Sequence, residues 1–285
     1  MDITINRAIF EYDLLLIVGP VFPHEIVGFS GGHKYLFPGI SGGEFLDFFH
    51  WLSAVITCMK TIGHKDTPAR RVIEQAADLV PTACHLVAMV VQPGQEPPEL
   101  AGLYVGDPRH AWSDAADHSA RIHITRTPRR YHTVLGHAPA MYDELWVGGK
   151  VMYKLESVVS DGGRLIIYGP QIDKLSATWG DYLERVGYHV TDYLVAERHR
   201  FADVPRGVLA HSALVRGVGE YRDGVERPRI DVELATALPR ALCERIGLAY
   251  RDPAAMELDD YRDREDSGIL YVPHAGEVLH LPAAG

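Results

Sequence analysis

The chain has little cysteine: only Cys58, Cys84 and Cys243 occur among its 285 residues, and they stand far apart. Their spacing matches neither a disulfide framework nor a Cys-x-x-Cys metal site. This excludes a small disulfide-stapled scaffold and a zinc site built from cysteine pairs. We therefore expect three buried thiols in a protein of a reducing compartment.

Long apolar runs and an excess of positive charge are also lacking. No segment reaches the roughly 18 apolar residues of a membrane helix, and Asp2, Glu11 and Asp13 interrupt any signal-peptide pattern. The formal net charge is −10, which opposes broad binding to nucleic acid or to an anionic membrane. These absences predict a cytoplasmic protein with neither nucleic acid nor membrane among its partners.

Apolar residues make up 47% of the chain, which is enough for a core. They occur in patterns typical of strands and helices in alternation. Residues 13–20 are almost wholly apolar, which is typical of a strand buried on both faces of a parallel sheet. This alternation of strands and helices indicates an α/β protein. The further predicted elements are a helix over 44–62, a helix over 143–159, a strand over 207–214 and a helix over 234–246.

The acidic stretch Glu257–Asp266 is expected to form a solvated loop or helix end, because such a density of charge cannot be buried without partners.

Two histidines and a lysine surround a glycine-rich turn in residues 22–50. His24 follows a predicted strand end, where side chains of α/β sheets often face a ligand, and histidine is suited to acid/base work. Lys34 follows Gly31-Gly32, so it can hold a phosphate or act as a nucleophile. Each residue also has an ordinary interpretation, a hydrogen-bonded structural histidine and a surface lysine.

His50 stands among aromatic residues of the predicted helix over 44–62. An apolar shell around one imidazole suits a metal ligand with controlled solvent access, although a helical histidine is more often part of the core or surface. The sequence contains no His-x-x-x-His and no Cys-x-x-Cys motif. A zinc site made by the protein alone is therefore poorly supported.

Taken together, these residues resemble the nickel-pincer lactate racemase family. The resemblance rests on Pro23-His24, Gly28-Phe29-Ser30-Gly31-Gly32, Lys34, Pro38-Gly39 and His50, and the preceding segment DLLLIVGPVFPHE is also similar. It implies two α/β domains with mostly parallel sheets, the first of them incomplete at its N-terminus. We place the remainder of the cofactor-binding domain at 1–100, a connecting region at 101–140 and a C-terminal α/β domain at 141–285.

The resemblance implies a racemase or epimerase of a 2-hydroxy acid, an isomerase that carries a nickel-pincer nucleotide (pyridinium-3,5-bisthiocarboxylic acid mononucleotide nickel). Lys34 would anchor this cofactor covalently, and Ser30, Gly31 and Gly32 would bind it. His50 would complete the nickel coordination, which suits Ni(II) when four donors lie near one plane. His24 would move the hydroxyl proton while hydride passes between the α-carbon and the cofactor.

The chain departs from the family pattern in two places. No position matches the family's second acid/base histidine or its carboxylate-binding arginine, so we expect a missing N-terminal segment or a partner chain to supply them. In the C-terminal part, Lys150 matches a substrate-binding lysine, but Val147 stands where the family has a glutamine. Lactate itself is therefore a doubtful substrate, because valine cannot make the amide's hydrogen bonds. Cofactor-synthesis proteins are further expected partners.

Two other functions stay open from sequence alone. The chain can be a truncated or split relative that binds a ligand or partner without catalysis. It can also be a general α/β phosphate-binding enzyme that uses the turn Gly31-Gly32-His33-Lys34.

Overall fold

The structure, a computed structural model, describes residues 2–95 and 97–283. The chain forms two compact units, which meet in sequence between Ile124 and Thr125. This division lies inside the region 101–140 that we assigned to a connection. Within the described ranges, no helix is both long enough and apolar enough to cross a membrane.

Unit 1, the part before Thr125, is built on a three-stranded sheet. Its strands are β1 (Leu14–Pro20), β2 (Pro23–His24), β3 (Gly28–Phe29), β4 (Ala83–Val91) and β5 (Leu100–Gly106). The sheet order is β1-β4-β5; β1 runs parallel to β4, and β5 runs antiparallel to it. The short strands β2 and β3 pair with each other just beyond the carboxyl end of β1.

The helices of unit 1 cover one face of this sheet. They are α1 (Gly43–Ile56), α2 (Cys58–Thr61), α3 (Pro68–Ala77) and α4 (Pro108–His123), with 3-10 helices at Arg7–Glu11 and Gly32–Tyr35. The helix predicted over 44–62 is broken into α1 and α2 at Thr57, whose φ is +80°. The core between helices and sheet includes Phe29, Phe45, Phe49, Ile73 and Leu86.

The prediction that residues 13–20 are buried on both faces is wrong. Leu14, Leu16 and Val18 are 50–60% exposed, whereas the side chain of Ile17 faces the core. A strand with branched apolar residues at every position has the composition of a doubly buried strand, so the pattern alone does not show that one face lacks a covering layer.

Unit 2, from Thr125 onward, contains a five-stranded parallel sheet in the order β12-β11-β8-β7-β13. The strands from β6 to β14 are Ile124–Thr127, Tyr131–His137, Val159–Gly169, Gly219–Arg222, Val225–Pro228, Asp231–Thr236, Ala249–Tyr250, Ile269–Val272 and Leu279–Pro282. Strands β9 and β10 form an antiparallel hairpin, and β14 pairs with β6. The expected α/β class with a parallel sheet is confirmed.

Six α-helices accompany the sheet of unit 2 in the described part of the chain: α5 (Leu145–Gly148), α6 (Lys150–Leu155), α7 (Gly180–Val186), α8 (Thr191–Ala196), α9 (Arg206–Arg216) and α10 (Arg240–Arg245). The strand predicted over 207–214 is wrong, because this segment is α9. Its residues from Val208 to Val215 are all buried. A segment buried on every side shows no helical period, so its apolar run imitates a strand.

The helix predicted over 234–246 is also only partly correct. The first residues continue β11 to Thr236, and the helix begins after Pro239 as α10. Proline favours the first turn of a helix and cannot continue a ladder, so Pro239 marks the change.

Candidate functional site

The segment 21–35 crosses the carboxyl end of β1 and carries most of the predicted site. Val21 donates its backbone N–H to Met89 of β4 at 2.8 Å, which extends the sheet pairing by one residue. The β2–β3 pair then turns the chain back, with His24 opposite Gly28. Side chains beyond the carboxyl ends of parallel strands are well placed to meet a ligand, and His24 occupies such a position.

His24 is half-buried, and its Nδ1 accepts the backbone N–H of Ile26 at 3.1 Å. This contact assigns the proton of the neutral ring to Nε2. The Glu25 carboxylate lies 3.5 Å from the same Nδ1. When the ring is charged, this carboxylate can accept a hydrogen bond from Nδ1–H. The ring thus has a local partner in each charge state, which suits a residue that takes up and releases a proton.

The Ser30 side chain links the start and the end of the loop that precedes the glycine turn. Its hydroxyl donates to the Pro20 carbonyl at 3.1 Å and accepts the Phe22 N–H at 3.0 Å. Its carbonyl accepts the indole N–H of Trp112 at 2.8 Å. The hydroxyl that we expected to bind a cofactor therefore holds the loop together, and its role toward a ligand stays a prediction.

Gly31 and Gly32 both adopt left-handed backbone conformations, with φ of +79° and +62°. A Cβ on Gly31 would lie 2.7 Å from a methyl group of Val21, and one on Gly32 would lie 3.1 Å from the ring of Trp112. Glycine is therefore required here by backbone geometry and by packing. Contact with a cofactor stays a prediction for both residues.

Arg70, which no sequence motif marks, fixes this turn through hydrogen bonds to its backbone. Its guanidinium donates to the carbonyls of Phe29 and Gly31, the latter at 3.2 Å, and lies 4.1 Å from the centre of the Trp112 ring. Burial lowers the pKa of Arg70 to about 10, which still leaves the group charged at pH 7, and Glu74 lies 3.7 Å away. No local motif reveals this contact, because Arg70 lies about forty residues from the turn.

The Glu74 carboxylate on α3 connects the glycine turn with α4. It lies 2.7 Å from Nδ1 of His33 and 3.0 Å from Nε of Arg109. Burial alone would raise the pKa of Glu74, but the contacts with His33, Arg70 and Arg109 hold that pKa below its usual value. His33 is consequently held in this network.

Lys34 follows His33 on the single 3-10 turn Gly32–Tyr35 and is half-buried. Its N–H donates to the Gly31 carbonyl at 3.4 Å, and its own carbonyl accepts the Gly39 N–H at 3.2 Å. The backbone of the lysine is thus fixed from both sides by the turn. A fixed backbone limits where the amine can reach.

His50 lies on α1, where its Nδ1 donates to the Leu46 carbonyl one turn earlier, at 2.7 Å. This bond leaves the lone pair on Nε2, which is the arrangement of a histidine that binds a metal through Nε2. Burial lowers the pKa of His50 and outweighs the Leu46 hydrogen bond, which raises it; the charge of Lys34 lowers the pKa further, against smaller opposing effects of Glu25 and Asp47. The ring is therefore neutral at pH 7 and able to donate its lone pair.

The electrostatic effects on His50 also show which predicted residues come together. The Lys34 ammonium and the Glu25 carboxylate both reach the His50 imidazole closely enough to shift its pKa. Glu25 in turn touches His24. His50 is therefore within electrostatic range of Lys34 and of Glu25, the residue next to His24.

A metal centre made by the protein alone is absent from the described residues, where no group of three or more His, Cys, Asp or Glu side chains could hold a metal ion. A single imidazole fits a metal only when the remaining donors come from a cofactor.

Lys150 belongs to unit 2, where it begins α6 and lies with its amine 5.4 Å from the centre of the Tyr142 ring. The preceding Gly148 and Gly149 interrupt the helix predicted over 143–159. A Cβ on Gly148 would lie 2.8 Å from Ile172, and one on Gly149 would lie 2.8 Å from Val215. Close packing within unit 2 therefore accounts for both glycines without a ligand.

Comparison with known proteins gives one family match and two informative structures. The family described as "Lactate racemase N-terminal domain" matches residues 1–61. A crystal structure of a protein from Thermotoga maritima is 31% identical, with a TM-score of 0.90 over 98% of this chain and 69% of that chain. The lactate racemase apoprotein from Thermoanaerobacterium thermosaccharolyticum is 17% identical, with a TM-score of 0.72 over 97% of this chain and 64% of that chain. No curated protein matches the chain.

These matches have different weight. The likeness to the lactate racemase apoprotein shows the fold, because the identity is low. The matched family domain ends at residue 61 and therefore includes His24, Lys34 and His50.

Replacing Glu74 by glutamine should lower the free energy of unfolding at pH 7 by about 2 kcal/mol, because His33, Arg70 and Arg109 lose their shared carboxylate. A carboxylate whose pKa is lowered by folding stabilises the protein above its unfolded pKa, and this contribution is lost as the pH falls. The difference between wild type and Glu74→Gln should therefore shrink below about pH 4.3. Urea unfolding at several pH values measures it.

The matched control is Glu99→Gln, which removes the same charge from an exposed residue of unit 1. It should leave stability within about 0.5 kcal/mol of wild type. A Glu74→Gln protein as stable as this control at pH 7 would contradict the proposed network.

Proposed function

Because this chain belongs to the family of the Thermotoga maritima protein and carries a lactate racemase N-terminal domain, we propose that it is a racemase or epimerase of a 2-hydroxy acid that uses a nickel-pincer nucleotide. The observation that supports this proposal is His50, a neutral imidazole with its Nε2 lone pair available, within electrostatic range of the Lys34 amine. One imidazole and one amine are the protein groups that such a cofactor requires.

The residues of unit 1 fit the cofactor in three separate ways. Lys34 offers an amine on a fixed turn for covalent attachment. His50 offers one nitrogen ligand, with its tautomer set by the Leu46 carbonyl. When bound, the cofactor supplies nickel and a carbon that accepts and returns hydride.

His24 performs the proton chemistry in this proposal. Its neutral form accepts the Ile26 N–H at Nδ1, and its charged form has the Glu25 carboxylate beside that nitrogen. In this tautomer Nε2 carries the proton, so the ring can give a proton to the carbonyl oxygen of a 2-keto acid. To take the hydroxyl proton of a 2-hydroxy acid at Nε2, the ring uses its other neutral tautomer, with Nδ1–H directed to the Glu25 carboxylate. Removing that proton makes hydride departure from the α-carbon easier, because the developing carbonyl no longer carries a positive charge.

We propose further that Lys150 contacts the substrate carboxylate. Its amine is half-buried against Tyr142, and an ammonium beside an aromatic ring is held in place without losing its charge. Cofactor-synthesis proteins would be needed as partners for loading. The expected second acid/base group has no assigned residue.

Lys34→Arg should abolish cofactor attachment, because arginine keeps the charge but lacks a nucleophilic amine. Peptide mass spectrometry of protein produced together with the cofactor-synthesis enzymes measures the adduct. Wild type and the exposed control Lys60→Arg should both carry it. An unmodified Lys34 peptide in loaded wild type would refute the proposal.

His50→Ala should retain the adduct on Lys34 but lose most of the nickel, because the only protein nitrogen assigned to the metal is removed. Elemental analysis gives the ratio of nickel to adduct. The exposed His64 provides the matched control, and His64→Ala should keep the wild-type ratio. Equal nickel content in both variants would show that His50 is not the ligand.

His24→Gln should lower racemisation at least a hundredfold while leaving adduct and nickel unchanged, because general acid/base catalysis typically contributes that much. Optical rotation or chiral chromatography with a panel of 2-hydroxy acids measures turnover. His85→Gln, on the exposed face of β4, should behave as wild type. Fully loaded wild type without turnover on any 2-hydroxy acid would instead indicate a protein that binds without catalysis.

A further inference from the structure

Unit 2 has a cavity of about 410 Å³ on one face of its parallel sheet. This size lies within the usual range for small-molecule sites. The acidic stretch Glu257–Asp266 keeps its carboxylates exposed, as expected, and crosses this face as short 3-10 turns. Its Leu258 and Tyr261 pack against Leu135 and Ile166 of the sheet. The segment thereby forms one wall of the cavity.

Two of the arginines that line this cavity are held by one buried carboxylate. Glu233 of β11 lies 2.9 Å from Arg164 and 2.6 Å from Arg251, and only 8% of it is exposed. Among the described residues, neither guanidinium has another hydrogen-bond or ion-pair partner. Each therefore keeps unused N–H donors, fixed in position and about one third exposed.

A third arginine adds charge that is not compensated by an ion pair. Arg264 lines the cavity, is exposed, and has no side-chain partner among the residues that the structure describes. Asp260 is the acidic residue that lines the same cavity. Three guanidinium groups thus face two carboxylates, Glu233 and Asp260, so the cavity favours an anion.

The rest of the lining combines the polar residues His132 and Thr133 with apolar and aromatic side chains. Ile166, Ile269 and Tyr261 line the cavity beside the arginines. Inorganic phosphate would use only the guanidinium groups and would leave this apolar surface in water. An anion that also carries an organic group would bury it.

We propose that this cavity binds a small phosphate ester, with the phosphate on Arg164, Arg251 and Arg264 and the organic group against Tyr261 and the isoleucines. Guanidinium groups match phosphate geometry through paired N–H donors. The site uses none of the residues assigned to racemisation, so it goes beyond the proposed function. It can be tested without nickel or cofactor.

Isothermal titration of the full chain with phenyl phosphate, inorganic phosphate and benzyl alcohol tests the proposal. Phenyl phosphate should bind most tightly and weaken as salt increases, because charge attracts it and the ring buries apolar surface. No binding of phenyl phosphate would overturn the proposal. Equal affinity for phenyl phosphate and inorganic phosphate would overturn the assignment of an organic ligand.

Three variants separate a specific site from general charge attraction. Arg264→Gln should weaken phenyl phosphate binding about tenfold, the loss expected for one charge-assisted hydrogen bond. Asp260→Asn should tighten binding several-fold by removing a like charge. Arg222→Gln, which removes an exposed arginine from the β9–β10 hairpin, should bind as wild type. Equal weakening in Arg264→Gln and Arg222→Gln, or unchanged binding in Arg264→Gln, would overturn the proposal.

Discussion

The buried guanidinium of Arg70 is the contact on which the arrangement of the site depends. It binds two carbonyls of the glycine turn, stacks on Trp112 and lies beside Glu74, which in turn holds His33. Carbonyl oxygens that point inward at a left-handed turn need a donor, and a buried arginine supplies several. Because Arg70 fixes the turn, the backbone position from which the Lys34 side chain extends is also fixed.

The two site histidines have opposite tautomers, and a different backbone group sets each one. His24 accepts an N–H at Nδ1, so its neutral ring carries the proton on Nε2. His50 donates from Nδ1 to a carbonyl, so its Nε2 carries the lone pair. A proton donor and a metal ligand need these two forms respectively. Under the proposed function, local backbone geometry therefore gives these two chemically identical side chains different roles.

The sequence predicts the local parts of this molecule better than its distant contacts. Strand β1 and the residues His24, Lys34 and His50 stand in one short segment, so pattern and spacing identify them. Arg70, Glu74 and Trp112 come from α3 and α4 and reach the turn only after folding. Segment 207–214 resembles a strand in sequence because a helix buried on all sides shows no alternation of apolar and polar residues at helical spacing. The exposed face of β1 cannot be predicted from composition, because composition does not show whether helices cover both faces of the sheet.

Charge at His50 links attachment of a cofactor to binding of its metal. In the protein as it stands, burial and the Lys34 ammonium both oppose positive charge on the imidazole, whereas Glu25 and Asp47 favour it. Attachment of a cofactor to this amine would remove the ammonium, whereas burial would still oppose charge on the ring and the Leu46 bond, Glu25 and Asp47 would still favour it. The same position would then attract a cation to Nε2 more strongly than before. Under the proposed function, loss of the ammonium at Lys34 would therefore ease the binding of nickel at His50.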